Sequence, residues 1–162
     1  MASRQNYYSF LQKESREKAS EDYHRSERCF RQLLGDGHWH NVPTPDYETW
    51  ETEPGGETLD MELTLQDIAG AEVRHGASGN VMCITAAILA LQEYCHRHRI
   101  SVNWLNSNRD DGCYNDTVGM FFSILPVAVH TERFNGLNAL IAEVNRQVAE
   151  GFVNSRCDTW RT

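Results

Sequence analysis

NSNRDDGCYNDTVGMFFSILPVAV, residues 106–129, is the stretch on which the fold turns. One arginine, Arg109, and three aspartates, Asp110, Asp111 and Asp116, fill a polar loop. From Met120 to Val129 polarity then almost disappears. A short apolar run of that kind is how a strand covered on both faces reads. Just upstream, Ile100, Val102 and Trp104 alternate with Ser101 and Asn103, which predicts a strand over 100–105. Strand, charged loop and buried strand follow one another. A guanidinium at the foot of a buried strand needs a partner, because desolvating an unpaired charge is expensive. What holds Arg109 is the first question the sequence raises.

The flanks supply the rest of the layers. Phe134, Leu137, Leu140, Ile141, Val144, Val148 and Phe152 recur at three- and four-residue spacing, which predicts an amphipathic helix over 134–152. Residues 80–98 predict a second helix. Val81, Ile84, Ile88, Leu91 and Cys95 form one face, while Met82, Ala86, Ala87, Leu89 and Ala90 fill the others, so it reads as a core helix. The basic run His96-Arg97-His98-Arg99 at its end suits the helix dipole. A shorter helix over 65–75 stops at Gly76, and Leu59, Met61, Leu63 and Leu65 alternate with polar residues as a half-buried strand. Residues 7–34, rich in Glu, Lys, Arg and Gln, predict one surface helix ended by Gly35 and Gly37. Pro43, Pro45 and Pro54-Gly55-Gly56 mark an irregular connection over 36–57, long enough to wrap over another surface. The order helix, strand, helix, helix, strand, strand, helix predicts an α/β class, a mixed sheet flanked by helices in one domain. In that division 1–35 is a linker helix, 36–57 the connection and 58–162 the α/β core.

Composition excludes several functions. The 162 residues carry 23 acidic and 15 basic side chains, a net charge of −8. No basic stripe is available for phosphates, so nucleic acid is not an expected partner. The opening MASRQNYYSF has no apolar signal region, and no apolar stretch reaches a membrane span, so no membrane association is expected. Five cysteines without a CxxC pair favour the cytoplasm, with Cys83 and Cys95 as small buried thiols of the helix. Asn106, Asn108 and Asp110 match the first oxygen positions of a calcium loop, but Asp111 stands where glycine belongs and Thr117 where glutamate belongs. His38 and His40, with Asp36 nearby, fall short of a zinc ligand set. No metal site is read from either. There is no Gly-rich phosphate loop, no G-x-S-x-G elbow and no HExxH pair, so spacing alone leaves an α/β domain without an assigned chemistry.

Residue type adds more. Ten residues after Arg109 comes Gly119-Met120-Phe121-Phe122-Ser123-Ile124-Leu125-Pro126. This resembles the condensation domains of nonribosomal peptide synthetases, which carry a Gly-Arg pair and, ten residues on, a segment G-x-F-[VF]-N-T-L-P-L-R. Tyr7-Tyr8-Ser9-Phe10 is similar to the family's Y-x-D-[FY] segment, Pro43-Thr44-Pro45-Asp46 to the proline-rich stretch that follows it, and 80–98 to a long Ala/Leu-rich helix. The likeness covers nearly the whole chain and is most specific from Arg109 to Pro126. Four positions depart from the pattern: Ser9 stands for Asp, Asn108 for Gly, Ser123 for Asn and Ala128 for Arg.

The resemblance implies one lobe of a two-lobe, chloramphenicol-acetyltransferase-like fold built around a tunnel. On it, this chain is part of the C-terminal lobe. The catalytic H-H-x-x-x-D-G signature lies on the other lobe and is not among these residues, and where the family has H-Q-D-x-P-F-E this chain has Asn154-Ser155-Arg156-Cys157-Asp158-Thr159-Trp160. The parent domain forms amide bonds between carrier-bound acyl and aminoacyl thioesters in secondary metabolite biosynthesis. Its partners are the N-terminal lobe and peptidyl carrier proteins, and its only cofactor is their phosphopantetheine. No catalytic residue falls in this chain, which is expected to be inactive alone. Arg109 is implied as an interface brace to the signature's Asp, and Gly119, Phe121, Ser123 and Pro126 as the motif strand of the tunnel. Without that Asp, Arg109 is expected to face solvent or to be held by Asp110, Asp111 or Asp116. A lone lobe is also expected to self-associate through exposed apolar surface and an open sheet edge. Another acyltransferase of the fold, a non-catalytic recruitment domain and an unrelated α/β binding module remain open alternatives.

Overall fold

The computed structural model describes residues 6–35, 37–39, 64–109, 112–155 and 157. Among these, two helices lead. Helix α1, Tyr7–Glu17, starts where the Asn6 side chain accepts the Ser9 N–H at 2.9 Å. Helix α2, Glu21–Leu34, starts where the Ser20 hydroxyl accepts the Tyr23 N–H at 3.2 Å, with Glu21 and Asp22 in its first turn. The single helix expected over 7–34 is therefore two. Ser20 offers its own cap to the chain, and the first helix ends at Lys18 to let it do so.

Helix α3, Leu65–His75, opens on a reciprocal capping box between Thr64 and Asp67 and closes on Gly76 at φ 62°. Helix α4, Gly79–Cys95, follows at once, with the Glu72 carboxylate accepting the Gly79 N–H at 2.5 Å. The half-buried strand expected from Leu59 falls on residues outside the described set, and Leu65 belongs to α3. The 36–57 connection also lies outside it, apart from 37–39.

Strands β1, Arg99–Asn106, and β2, Ser123–His130, pair antiparallel from Arg99 opposite His130 to Asn106 opposite Ser123. A 3-10 turn, Thr131–Arg133, leads to helix α5, Leu137–Val153. The expected α/β layering is present, and its sheet among the described residues is this antiparallel pair. Register puts Ile100, Val102, Trp104, Leu125, Val127 and Val129 on one face, and all but half-buried Val102 are buried. Helix α5 lies on that face. A Cβ at Gly151 would touch Trp104 at 3.3 Å and Leu125 at 3.7 Å, so the absent side chain lets the helix approach closely. Helix α4 packs on β1 and α5, and α2 on β2. On the opposite face Pro126 and Ala128 are buried too, so β2 is covered on both sides, as its apolar run implies.

Gln147 of α5 closes the outer edge of β2. Its side chain accepts the Ala128 N–H at 2.9 Å and donates to the Ala128 carbonyl at 2.9 Å, as a neighbouring strand would. Pro126, two residues earlier and facing the same edge, has no N–H to offer.

Helix α4 is less central than its composition suggests. Only Val81, Ile84, Thr85 and Ile88 are buried, while Cys83, Ala86, Leu89 and Ala90 are exposed. Its contacts with β1, α3 and α5 cover one stripe, so Cys83 is an exposed thiol and Cys95 a half-buried one. Among the described residues, no helix is long and apolar enough to cross a membrane.

Candidate functional site

Sequence positions 113 residues apart meet at the foot of β2. The Tyr7 hydroxyl donates to the Met120 carbonyl at 3.2 Å, tying α1 to the segment before the strand. Tyr7 meets Phe121 edge-on at 5.2 Å, and Phe10 lies 4.7 Å from Phe121 and 5.6 Å from Tyr114. Phe121, 2% exposed, is the centre of this aromatic cluster. Gly119 is explained by the same packing. A Cβ there would lie 2.4–2.9 Å from three carbons of the Tyr7 ring, closer than any side chain tolerates. The Tyr7–Phe10 segment and the Gly119–Pro126 segment thus build one site.

Arg109 organises the loop between the strands. It is half-buried, and its guanidinium donates to the carbonyls of Tyr114, of Thr117 at 3.1 Å and of Gly119 at 3.4 Å. Its cationic carbon sits 4.2 Å above the Phe121 ring. The arginine is held by backbone oxygens of its own loop and by an aromatic face. Asp110 and Asp111 lie outside the described residues.

Asn108 and Ser123 complete the closure. Asn108 adopts φ 52°, the left-handed conformation in which asparagine, after glycine, is best tolerated. Its amide donates to the Phe121 carbonyl at 2.8 Å and to the Ser123 hydroxyl at 3.1 Å. Its oxygen accepts from Asn106 at 2.8 Å. Asn106 and Asn108 are thus partners of each other, and Asp110 lies outside the described residues. Among the described residues no group of three His, Cys, Asp or Glu side chains could hold a metal ion. Two of the four departures from the motif pattern are explained together: asparagine replaces glycine where φ is positive, and its carboxamide reaches the serine that replaces asparagine. Ser9 turns back to Asn6, its hydroxyl 3.0 Å from the capping oxygen. Ala128 is buried, with its backbone N–H and carbonyl held by Gln147, and Pro126 stands opposite Asn103.

Around this cluster opens a cleft of about 630 Å³. Phe121, Tyr114, Asn108 and Ser123 line it from the loop, Phe10, Leu11 and Glu14 from α1, and Phe152 and Val153 from the end of α5. Met120, Phe122, Phe152 and Val153 are large apolar side chains left exposed at its walls, a concentration that marks a binding surface. Phe10 belongs to the Tyr7–Phe10 segment singled out in the sequence, whereas Leu11, Glu14, Phe152 and Val153 had no site signal there. Of the His38, His40 and Asp36 group, His40 and Asp36 lie outside the described residues. Trp39 donates to the Leu34 carbonyl at 2.6 Å, with Arg99 5.0 Å from its ring centre and His130 5.2 Å away. Burial, with Arg133 and Arg99 nearby, lowers the His130 pKa below 6.5.

Comparison with known proteins gives this geometry a context. No curated protein sequence matches the chain. Solved structures do. The SgcC5 protein of Streptomyces globisporus, solved in complex with (R)-(-)-1-(2-naphthyl)-1,2-ethanediol and sucrose, superposes with a TM-score of 0.74 at 17% identity, over 91% of this chain and 34% of its own. The first condensation domain of the calcium-dependent antibiotic synthetase gives 0.66 at 18% identity, over 91% and 35%. The EpoB cyclization-docking bidomain of Sorangium cellulosum gives 0.69 at 16%, over 91% and 31%. The chain thus spans about a third of the length of the solved structures it matches, and at these identities the likeness concerns the fold. The model of the condensation domain family matches residues 1–158, taking in both motif segments that meet in the cleft, and the chain belongs to that family.

Proposed function

We propose that this chain is the C-terminal-lobe part of a nonribosomal peptide synthetase condensation domain and that the cleft beside Phe121 is one wall of its substrate tunnel. The observation that carries the reading is the joining of the Tyr7–Phe10 and Gly119–Pro126 segments, with Arg109, into a single aromatic site. In the reaction, the acceptor amine attacks the donor thioester carbonyl. The C–N bond forms, the C–S bond breaks, and the amine proton leaves with the thiol through a histidine of the other lobe. Peptidyl carrier proteins present both substrates on phosphopantetheine. The setting is cytoplasmic secondary metabolism. This chain supplies positioning and no proton-transfer group.

Arg109 fits a brace between lobes. A guanidinium has five N–H donors, and three hydrogen bonds go to loop carbonyls, which leaves capacity for a carboxylate from outside the loop. Self-association through exposed apolar surface belongs to the same reading. Strand pairing along β2 is disfavoured there, because Gln147 and Pro126 close that edge.

The test is amide formation followed by mass spectrometry, with donor and acceptor aminoacyl thioesters on carrier proteins. The chain alone is expected to give no product, and the chain joined to a lobe bearing H-H-x-x-x-D-G is expected to give the dipeptide. Product from the chain alone, or none from the joined protein, would contradict the reading. A recruitment role is favoured by one observation, the buried Ala128 where the family pattern has an arginine. Pull-down with carrier proteins against tailoring enzymes separates the two.

A further inference from the structure

The cleft has a chemical preference of its own. Its walls are aromatic, and Phe122 and Phe152 present rings that are 44% and 48% exposed. Among the described residues that line it, its mouth carries Glu14 and Glu17 against one basic residue, Lys13, while Arg109, outside that lining, donates from its guanidinium to the loop carbonyls. Glu14 is half-buried, so its charge acts in a medium less polarisable than water. Helix α5, 17 residues long, ends in the cleft at Val153, and the negative end of its dipole adds to the same field. Rings attract cations through their faces and stack against other rings, whereas carboxylates and a helix C-terminus repel anions. These features select a group that is aromatic and positively charged at once.

We propose that the cleft is a subsite for an aromatic primary amine, with its ring against Phe122 and Phe152 and its ammonium toward Glu14. That such an amine serves as the acceptor nucleophile rests on the function proposed above; the binding preference rests on the cleft alone.

Phenethylamine is the probe, titrated into the chain and followed by backbone amide chemical shifts. The comparison ligands are 3-phenylpropionate, which keeps the ring and reverses the charge, and n-butylamine, which keeps the charge and lacks the ring. Phenethylamine is expected to shift residues 120–123 and 152–155 and to bind more tightly than either control. Glu14→Gln should weaken it by up to about fivefold, the upper end for a solvent-accessible ion pair, and leave 3-phenylpropionate no weaker. Phe122→Leu should reduce the advantage over n-butylamine. Urea midpoints for both variants confirm that they fold. Equal binding of 3-phenylpropionate, shifts mapping away from the cleft, or no binding of phenethylamine at millimolar concentration overturns the proposal. None of these touches the condensation reading, which the carrier-bound assay decides.

Discussion

Gly119→Ala is the substitution whose effect can be worked out most fully. Gly119 does not have the positive φ that would favour glycine, so alanine is acceptable to the backbone itself. The new methyl group meets the Tyr7 ring at 2.4–2.9 Å, and the ring must leave. With it go the hydrogen bond to Met120, about 1 kcal/mol, and the edge-on contact with Phe121, about 0.5–1.5 kcal/mol beyond the area buried. The loss should be about 2 kcal/mol, or roughly 4–8 °C in Tm for a chain of this size. Urea unfolding measures it. The mechanism is isolated by repeating the substitution in Tyr7→Ala, where the ring is already gone and Gly119→Ala should be nearly neutral. That coupling of about 2 kcal/mol is within the range for residues in contact. An equal loss in both backgrounds would refute the explanation, because the penalty would then come from somewhere other than Tyr7.

Gln147→Leu keeps bulk on α5 but leaves the N–H and carbonyl of buried Ala128 unpaired, so unfolding free energy should fall by about 2–4 kcal/mol. At Asn108, glycine should be tolerated better than alanine. Both lose the contacts to Phe121 and Ser123, but alanine also meets the left-handed penalty, about 1–2 kcal/mol, visible in urea midpoints. His130 sets a pH dependence. Its folded pKa lies below the unfolded 6.5, so the unfolded chain takes up the proton first. Its contribution is fully present above 6.5 and is lost as pH falls through the folded pKa. His130→Gln should flatten that slope in urea midpoints taken between about pH 5 and 8.

Periodicity made some elements legible and not others. The α5 stripe and the strand–loop–strand unit could be read because their apolar spacing matches the burial they receive. Gln147 could not be read, since a buried polar side chain reveals itself only through a partner, here a backbone 19 residues away. The break at Ser20 was written in Ser20-Glu21-Asp22, an N-cap followed by acidic residues, but the helix-favouring composition on either side hid it. For α4, composition overstated burial, because a helix rich in small apolar residues does not specify how many faces its neighbours cover. The motif spacing pointed to the segment from Arg109 to Ser123, which folds into one aromatic cluster with Tyr7 and Phe10. Its inner chemistry stayed hidden: the carbonyls that hold Arg109 are identical at every residue, and only the fold determines which of them converge. Asn108 and Ser123 looked like two independent departures from a pattern and are one hydrogen-bonded pair.

The most direct test of the central claim is to sequence the transcript upstream of Met1 in the source. The account predicts an open frame running into Met1 that encodes a lobe carrying H-H-x-x-x-D-G, whose Asp is the partner of Arg109. A stop codon immediately upstream in frame, or a preceding lobe in which that signature is degenerate, would contradict a catalytic condensation domain.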